Sequence, residues 1–138
     1  MDIIATFRRQ HRQLLKITIE ISNLLDPKGL AEDASNIRSL LSHLAGKLSV
    51  HLSMEDKYLY PNLLDSKDTR VSSLAKQYID EMGDIKEVFG AYVKIWPSPT
   101  AIQNDPIKFI NETKGIFEAL QKRIDREDSN LYPLIDSL

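Results

Sequence analysis

The chain has 138 residues, a formal net charge of -2, 42% hydrophobic residues and no cysteine. That length suits one domain with its own core, expected over residues 1–138, and the missing thiols exclude disulfides, thiolate metal sites, iron–sulfur clusters and cysteine nucleophiles. Interspersed charges, with Arg8, Arg9 and Arg12 read as a solvated helix face, give no patch for nucleic acid or a membrane; with no bilayer-length apolar run and no signal-peptide pattern, the expected location is cytoplasmic.

The apolar residues follow a helical period throughout. Segment one reads Ile4, Phe7, His11, Leu14, Thr18, Ile21, Leu25, with Asp2 as its expected cap and Pro27–Gly29 as its stop. Segment two, over roughly residues 32–65, reads Ile37, Leu41, Leu44, Leu48, His51/Leu52, Glu55, Leu59, Leu63. Segment three runs from a cap at Asp68 through Val71, Leu74, Tyr78, Met82, Ile85, Phe89 and Tyr92 to Trp96, where Pro97 and Pro99 stop it. Segment four starts at Asp105-Pro106, a cap followed by proline at the first helical position. It continues through Ile110, Phe117, Leu120, Ile124, Glu127, Leu131 and Leu134. Pro61 and Pro133 are expected to kink or end helices two and four. No segment alternates with the period of a strand. The predicted fold is all-α, an antiparallel up-down four-helix bundle.

A shift of 72 positions lays helix four on helix two. Glu55-Asp56 then matches Glu127-Asp128, and Leu59-Tyr60-Pro61 matches Leu131-Tyr132-Pro133. Two related helical hairpins follow. The repeat also sets polar residues in apolar stripes. His11 takes a core position on helix one, His51 and Glu55 stand one turn apart on helix two, and Glu127 faces inward from helix four. Buried carboxylates need a cation or a metal, and carboxylates and imidazoles from facing helices are how bundle cores hold metals. Tyr60 and Tyr132 are read as packing residues whose hydroxyls reach a polar partner. His43 reads as a surface histidine.

The run His51-Leu-Ser-Met-Glu55-Asp-Lys-Tyr-Leu-Tyr-Pro61, together with His11 and Glu127-Asp-Ser-Asn-Leu-Tyr-Pro133, resembles the haemerythrin-like (HHE cation-binding) family over nearly the whole chain. The resemblance implies non-haem iron and a ligand set containing His11, His51, Glu55 and Glu127. It also implies histidines where this chain has Tyr78, Met82 and Arg123. The retained residues suit one iron, manganese or zinc ion, whereas a full di-iron pair needs more donors.

Arg123 divides the functional expectation, because a guanidinium cannot ligate a metal. In one reading the chain is a binding or sensing domain for dioxygen, nitric oxide, redox state or iron. In the other it is a metal-free structural or signalling module, with a protein partner or a second copy of itself, in which Arg123 forks onto Glu127 and Glu55 and replaces the metal charge. A third arrangement has Arg123 snorkel outward and leave the pocket open. Without a nucleophile–base constellation or a phosphate-cradling loop, catalysis ranks last.

Overall fold

The computed structural model describes residues 3–138, so the expected cap at Asp2 lies outside the described residues. Helix α1 (Ile3–Ser22) buries Ile4, Phe7, His11, Leu14, Ile17, Thr18 and Ile21, the stripe its sequence predicts. The chain turns through Asp26, whose side chain accepts the Lys28 N–H at 3.0 Å. Helix α2 (Leu30–Met54) follows, with Glu32 and Asp33 in its first turn, where carboxylates favour the helix dipole.

At Glu55 the helix changes register rather than ending. Residues Glu55–Leu59 form one π-helical turn, and α3 (Tyr60–Leu64) continues from it. The Tyr60 N–H reaches back five residues to the Glu55 carbonyl. Pro61 then falls in the first turn of α3, where its missing N–H costs nothing. The second hairpin repeats this. Helix α7 (Pro106–Arg126) passes through a π turn at Glu127–Leu131 into α8 (Tyr132–Asp136), with the Tyr132 N–H on the Glu127 carbonyl. The two prolines therefore mark a widened turn, and the chain stays helical through each.

The expected third helix is two helices, α4 (Thr69–Met82) and α5 (Ile85–Ile95), broken at Gly83–Asp84. A Cβ at Gly83 would collide with the Ile79 carbonyl oxygen, so this break requires glycine. Asp68 caps α4 by accepting the Arg70 N–H at 3.0 Å. The stretch between Trp96 and Asp105 contains a short helix α6 (Pro99–Asn104), capped by Ser98 and anchored by the buried Ile102. Asp105 caps α7, as its sequence predicts.

Helix α1 packs on α2 and α7, and α5 closes the ring by packing on the same two. The result is an all-α bundle with no strand among the described residues. No helix there is long and apolar enough to cross a membrane. Two apolar clusters fill the interior. The larger includes Leu14, Ile21, Leu41, Leu48, Phe89, Trp96, Phe109 and Leu120. The smaller lies at the other end, around Phe7, Tyr60, Val71, Tyr78, Leu131 and Tyr132. Each fully buried Leu or Phe contributes about 1.5–3 kcal/mol relative to exposure. The buried charged residues lie in a layer between these clusters.

Candidate metal centre

Five ionisable side chains meet in this layer: His11 from α1, His51 and Arg123 from the last turns of α2 and α7, and Glu55 and Glu127 from the π turns that follow them. All are buried, none more than 3% exposed. One donor atom each from His11, His51, Glu55 and Glu127 lies within 4.8 Å of the others. The sequence-predicted set is thus brought together. The π turns explain part of this, because they begin at Glu55 and Glu127 and return Tyr60 and Tyr132 to the same face five residues later.

Those tyrosines exchange partners between the hairpins. Tyr60 donates its hydroxyl to Glu127 Oε2 at 2.6 Å, and Tyr132 donates to Glu55 Oε2 at 2.9 Å. Their buried positions beside carboxylates raise both phenol pKa values, so both stay neutral donors.

The imidazoles are held from behind. His11 Nδ1 is 2.8 Å from Asp128 Oδ1, and His51 Nδ1 is 2.6 Å from Gln10 Oε1. Both partners are acceptors, so each Nδ1 carries a hydrogen, and in the neutral imidazoles each Nε2 presents a lone pair inward. The two Nε2 atoms face each other at 3.0 Å. Glu55 Oε1 lies 2.8 Å from that of His51, and Glu127 Oε1 lies 3.2 Å from that of His11. Glu127 Oε1 has no hydrogen-bond partner among the described residues. His11 Nε2, 3.2 Å away, has a hydrogen to give it only when the imidazole is protonated.

While both imidazoles are neutral and both carboxylates ionised, four electron-rich atoms meet here, and a proton or a metal ion between them relieves the repulsion. Burial pushes the His51 pKa down to about 3, and the neighbouring His11 pushes the same way. Burial also acts to lower His11, but Glu127, Asp128 and Glu55 outweigh it and raise its pKa. Burial and the Glu55 charge push Glu127 up to about 7.

Arg123 supplies part of the charge. It is buried rather than snorkelling outward, with Nε 3.4 Å from Glu127 Oε2 and Nη2 3.5 Å from Glu55 Oε1. Its Nη1 donates to the Met82 carbonyl at 3.1 Å, at the C-terminal end of α4, where a cation is favoured. Burial disfavours its charge, but Glu127 and Glu55 outweigh that, so the guanidinium stays charged. One fixed positive charge against two carboxylates leaves room for one more, either a proton on His11 or Glu127, whose pKa values are both raised, or a metal ion.

The donor set fits one small cation. In an octahedral site with bonds of about 2.1 Å, neighbouring donors stand roughly 3.0 Å apart, close to the 2.8, 3.0 and 3.2 Å separations here. Mixed imidazole and carboxylate donors suit iron, manganese or zinc. A second metal finds Arg123 in its way.

Tyr78 and Met82 do not join the donor cluster. The Tyr78 hydroxyl donates to the Arg126 carbonyl at 3.1 Å, and Met82 meets Arg123 through its backbone oxygen. His43 is exposed. The supporting roles of Gln10 and Asp128 escaped the sequence reading. The Glu-Asp repeat did single out Asp128, whose counterpart Asp56 lies 3.9 Å from Arg123 Nη2.

Among known proteins, a 110-residue stretch is 27% identical to glutamate--tRNA ligase 2 of Helicobacter hepaticus (strain ATCC 51449 / 3B1), covering 79% of this chain. The matched stretch is 24% of that relative's length. No solved structure matches the chain. The family profile of the Hemerythrin HHE cation binding domain matches residues 2–135. With nearly the whole chain matched and the His/Glu cluster at the bundle's centre, this protein belongs to the hemerythrin HHE cation-binding domain family.

Proposed function

We propose that this domain binds a single non-haem metal ion, iron in the first instance, and serves as a sensor or carrier rather than an enzyme. His11 and His51 would hold it through Nε2, and Glu55 and Glu127 through carboxylate oxygens. Arg123 would supply the charge of a second metal. The observation that carries this reading is the gathering of one donor atom each from the buried His11, His51, Glu55 and Glu127 within 4.8 Å of one another. Iron held there supplies one-electron redox chemistry and positions for a small ligand such as dioxygen or nitric oxide. The protein's own residues hold the imidazole tautomers, through Asp128 and Gln10, and keep Tyr60 and Tyr132 as donors to the carboxylates.

A second reading, a metal-free interaction module, is favoured by one observation: Arg123 already reaches both carboxylates. A proton on His11 or Glu127 would then complete the charge balance. Metal analysis and visible absorption of protein made in iron-replete cells separate the two. About one iron per chain supports the metal reading. No retained metal after loading with iron, manganese and zinc overturns it in favour of the module.

A further inference from the structure

The outer face of α5 and α7 carries an apolar groove of about 530 Å³. Its floor and rim include Val88, Ala91, Ile95, Gly115, Ile116 and Ala119. Val88 is 47% exposed and Ile95 52%, and Ala91, Gly115 and Ala119 are exposed as well. On α5, the steps of three and four from Val88 through Ala91 to Ile95 make one stripe. On α7, Gly115 and Ala119 stand one turn apart. The small residues leave room for another helix backbone to come close.

The charges around the groove identify its occupant. The two helices run antiparallel: Tyr92 bonds Thr113, Trp96 bonds Glu112 at 3.0 Å, and Ala119 and Lys122 line a pocket with Ile85 and Val88. At the Val88 end stand Glu87 and Lys122. At the Ile95 end stand Lys94 and Glu112, one of whose oxygens accepts the Trp96 indole N–H. On each helix the two ends therefore carry opposite charges. A two-fold axis lying in the plane of this face, across both helices near Ala91, reverses each helix over its own copy. Val88 then meets Ile95, Ala91 meets Ala91, Glu87 meets Lys94, and Lys122 meets Glu112. Both charge pairs are attractive under the same operation, as an isologous interface demands.

We propose that a second copy of this chain docks on the α5–α7 face through this antiparallel two-fold contact. The inference does not rest on the metal reading, because none of these residues touches the site. An interface confined to two helix faces lies at the small end of stable ones, so dissociation in the micromolar range is expected.

Sedimentation velocity on the full chain, from low to several hundred micromolar, tests it. The expected result is a concentration-dependent monomer–dimer equilibrium. Ala91→Arg should weaken it by at least about tenfold. Lys94→Glu should weaken it too, and adding Glu87→Lys to that variant should restore it. All three positions are exposed on α5, and circular dichroism checks that the helices are retained. The charge-swap pair decides the matter if Ala91→Arg does not fold. A monomer at every concentration overturns the proposal. So does a dimer indifferent to Ala91→Arg, or a swap that fails to restore association.

Discussion

The Nε2 atoms of His11 and His51 face each other at 3.0 Å while both Nδ1 hydrogens point away to Asp128 and Gln10. With both imidazoles neutral, two lone pairs so placed repel each other, and a metal ion or a proton between them removes the repulsion. Metal binding should therefore stabilise the fold, by about 2.7 kcal/mol at a free concentration one hundred times the dissociation constant. Thermal melts with and without iron(II), manganese(II) or zinc(II) measure this. His51→Ala should abolish the metal-dependent shift while the circular dichroism spectrum stays helical. An undiminished shift in that variant would remove His51 from the ligand set.

Asp128 and Gln10 touch no metal in this reading, yet they fix the tautomers of the two imidazoles. Asp128→Asn should lower metal affinity by roughly 10- to 100-fold, as the loss of outer hydrogen-bond partners commonly does. Isothermal titration calorimetry gives the number. Exposed Asp65→Asn serves as the matched control and should leave affinity unchanged.

Arg123 is buried against both carboxylates. Arg123→Met should destabilise the metal-free protein by about 3–5 kcal/mol, since it leaves buried charge uncompensated. The loss should shrink when metal is bound. Urea denaturation in chelator and in excess metal supplies both values. Arg123→His replaces the obstructing cation by a donor, and metal content should rise above one ion per chain.

Tyr60 and Tyr132 each donate to the carboxylate of the opposite hairpin. Tyr60→Phe and Tyr132→Phe should each cost about 1.5–3 kcal/mol, the range for hydrogen bonds to charged groups. The repeat predicts similar costs. Denaturant midpoints at unchanged slope would check them.

Much of this was legible in the sequence. The inward stripes of α1, α2 and α7 followed from apolar spacing, and the 72-residue echo located Glu55 and Glu127. The register of Arg123, one turn before Glu127, allowed both an inward fork onto the carboxylates and an outward snorkel, and only the packed structure shows the inward one. The π turns were not legible. Periodicity reports which face a residue occupies, whereas a π turn adds one residue at a point that only the hydrogen-bond ladder reveals; Pro61 and Pro133 therefore read as breaks. The break at Gly83 was hidden because apolar residues continue in helical step across it. Gln10 and Asp128 were overlooked because each lies beside a residue already singled out and is itself ordinary in composition.

The polar layer lies between two hydrophobic clusters. The smaller one, around Phe7, Tyr78, Leu131 and Tyr132, meets the layer through Tyr60 and Tyr132, whose hydroxyls reach Glu127 and Glu55. Its opening should therefore cost less free energy than global unfolding. Backbone amides of α3, α4 and α8 should exchange hydrogen for deuterium sooner than those in the middle of α2 and α7. Neutralising Glu55 and Glu127 with a bound metal should narrow that difference, so exchange rates at one end of the molecule should report the occupancy of the centre.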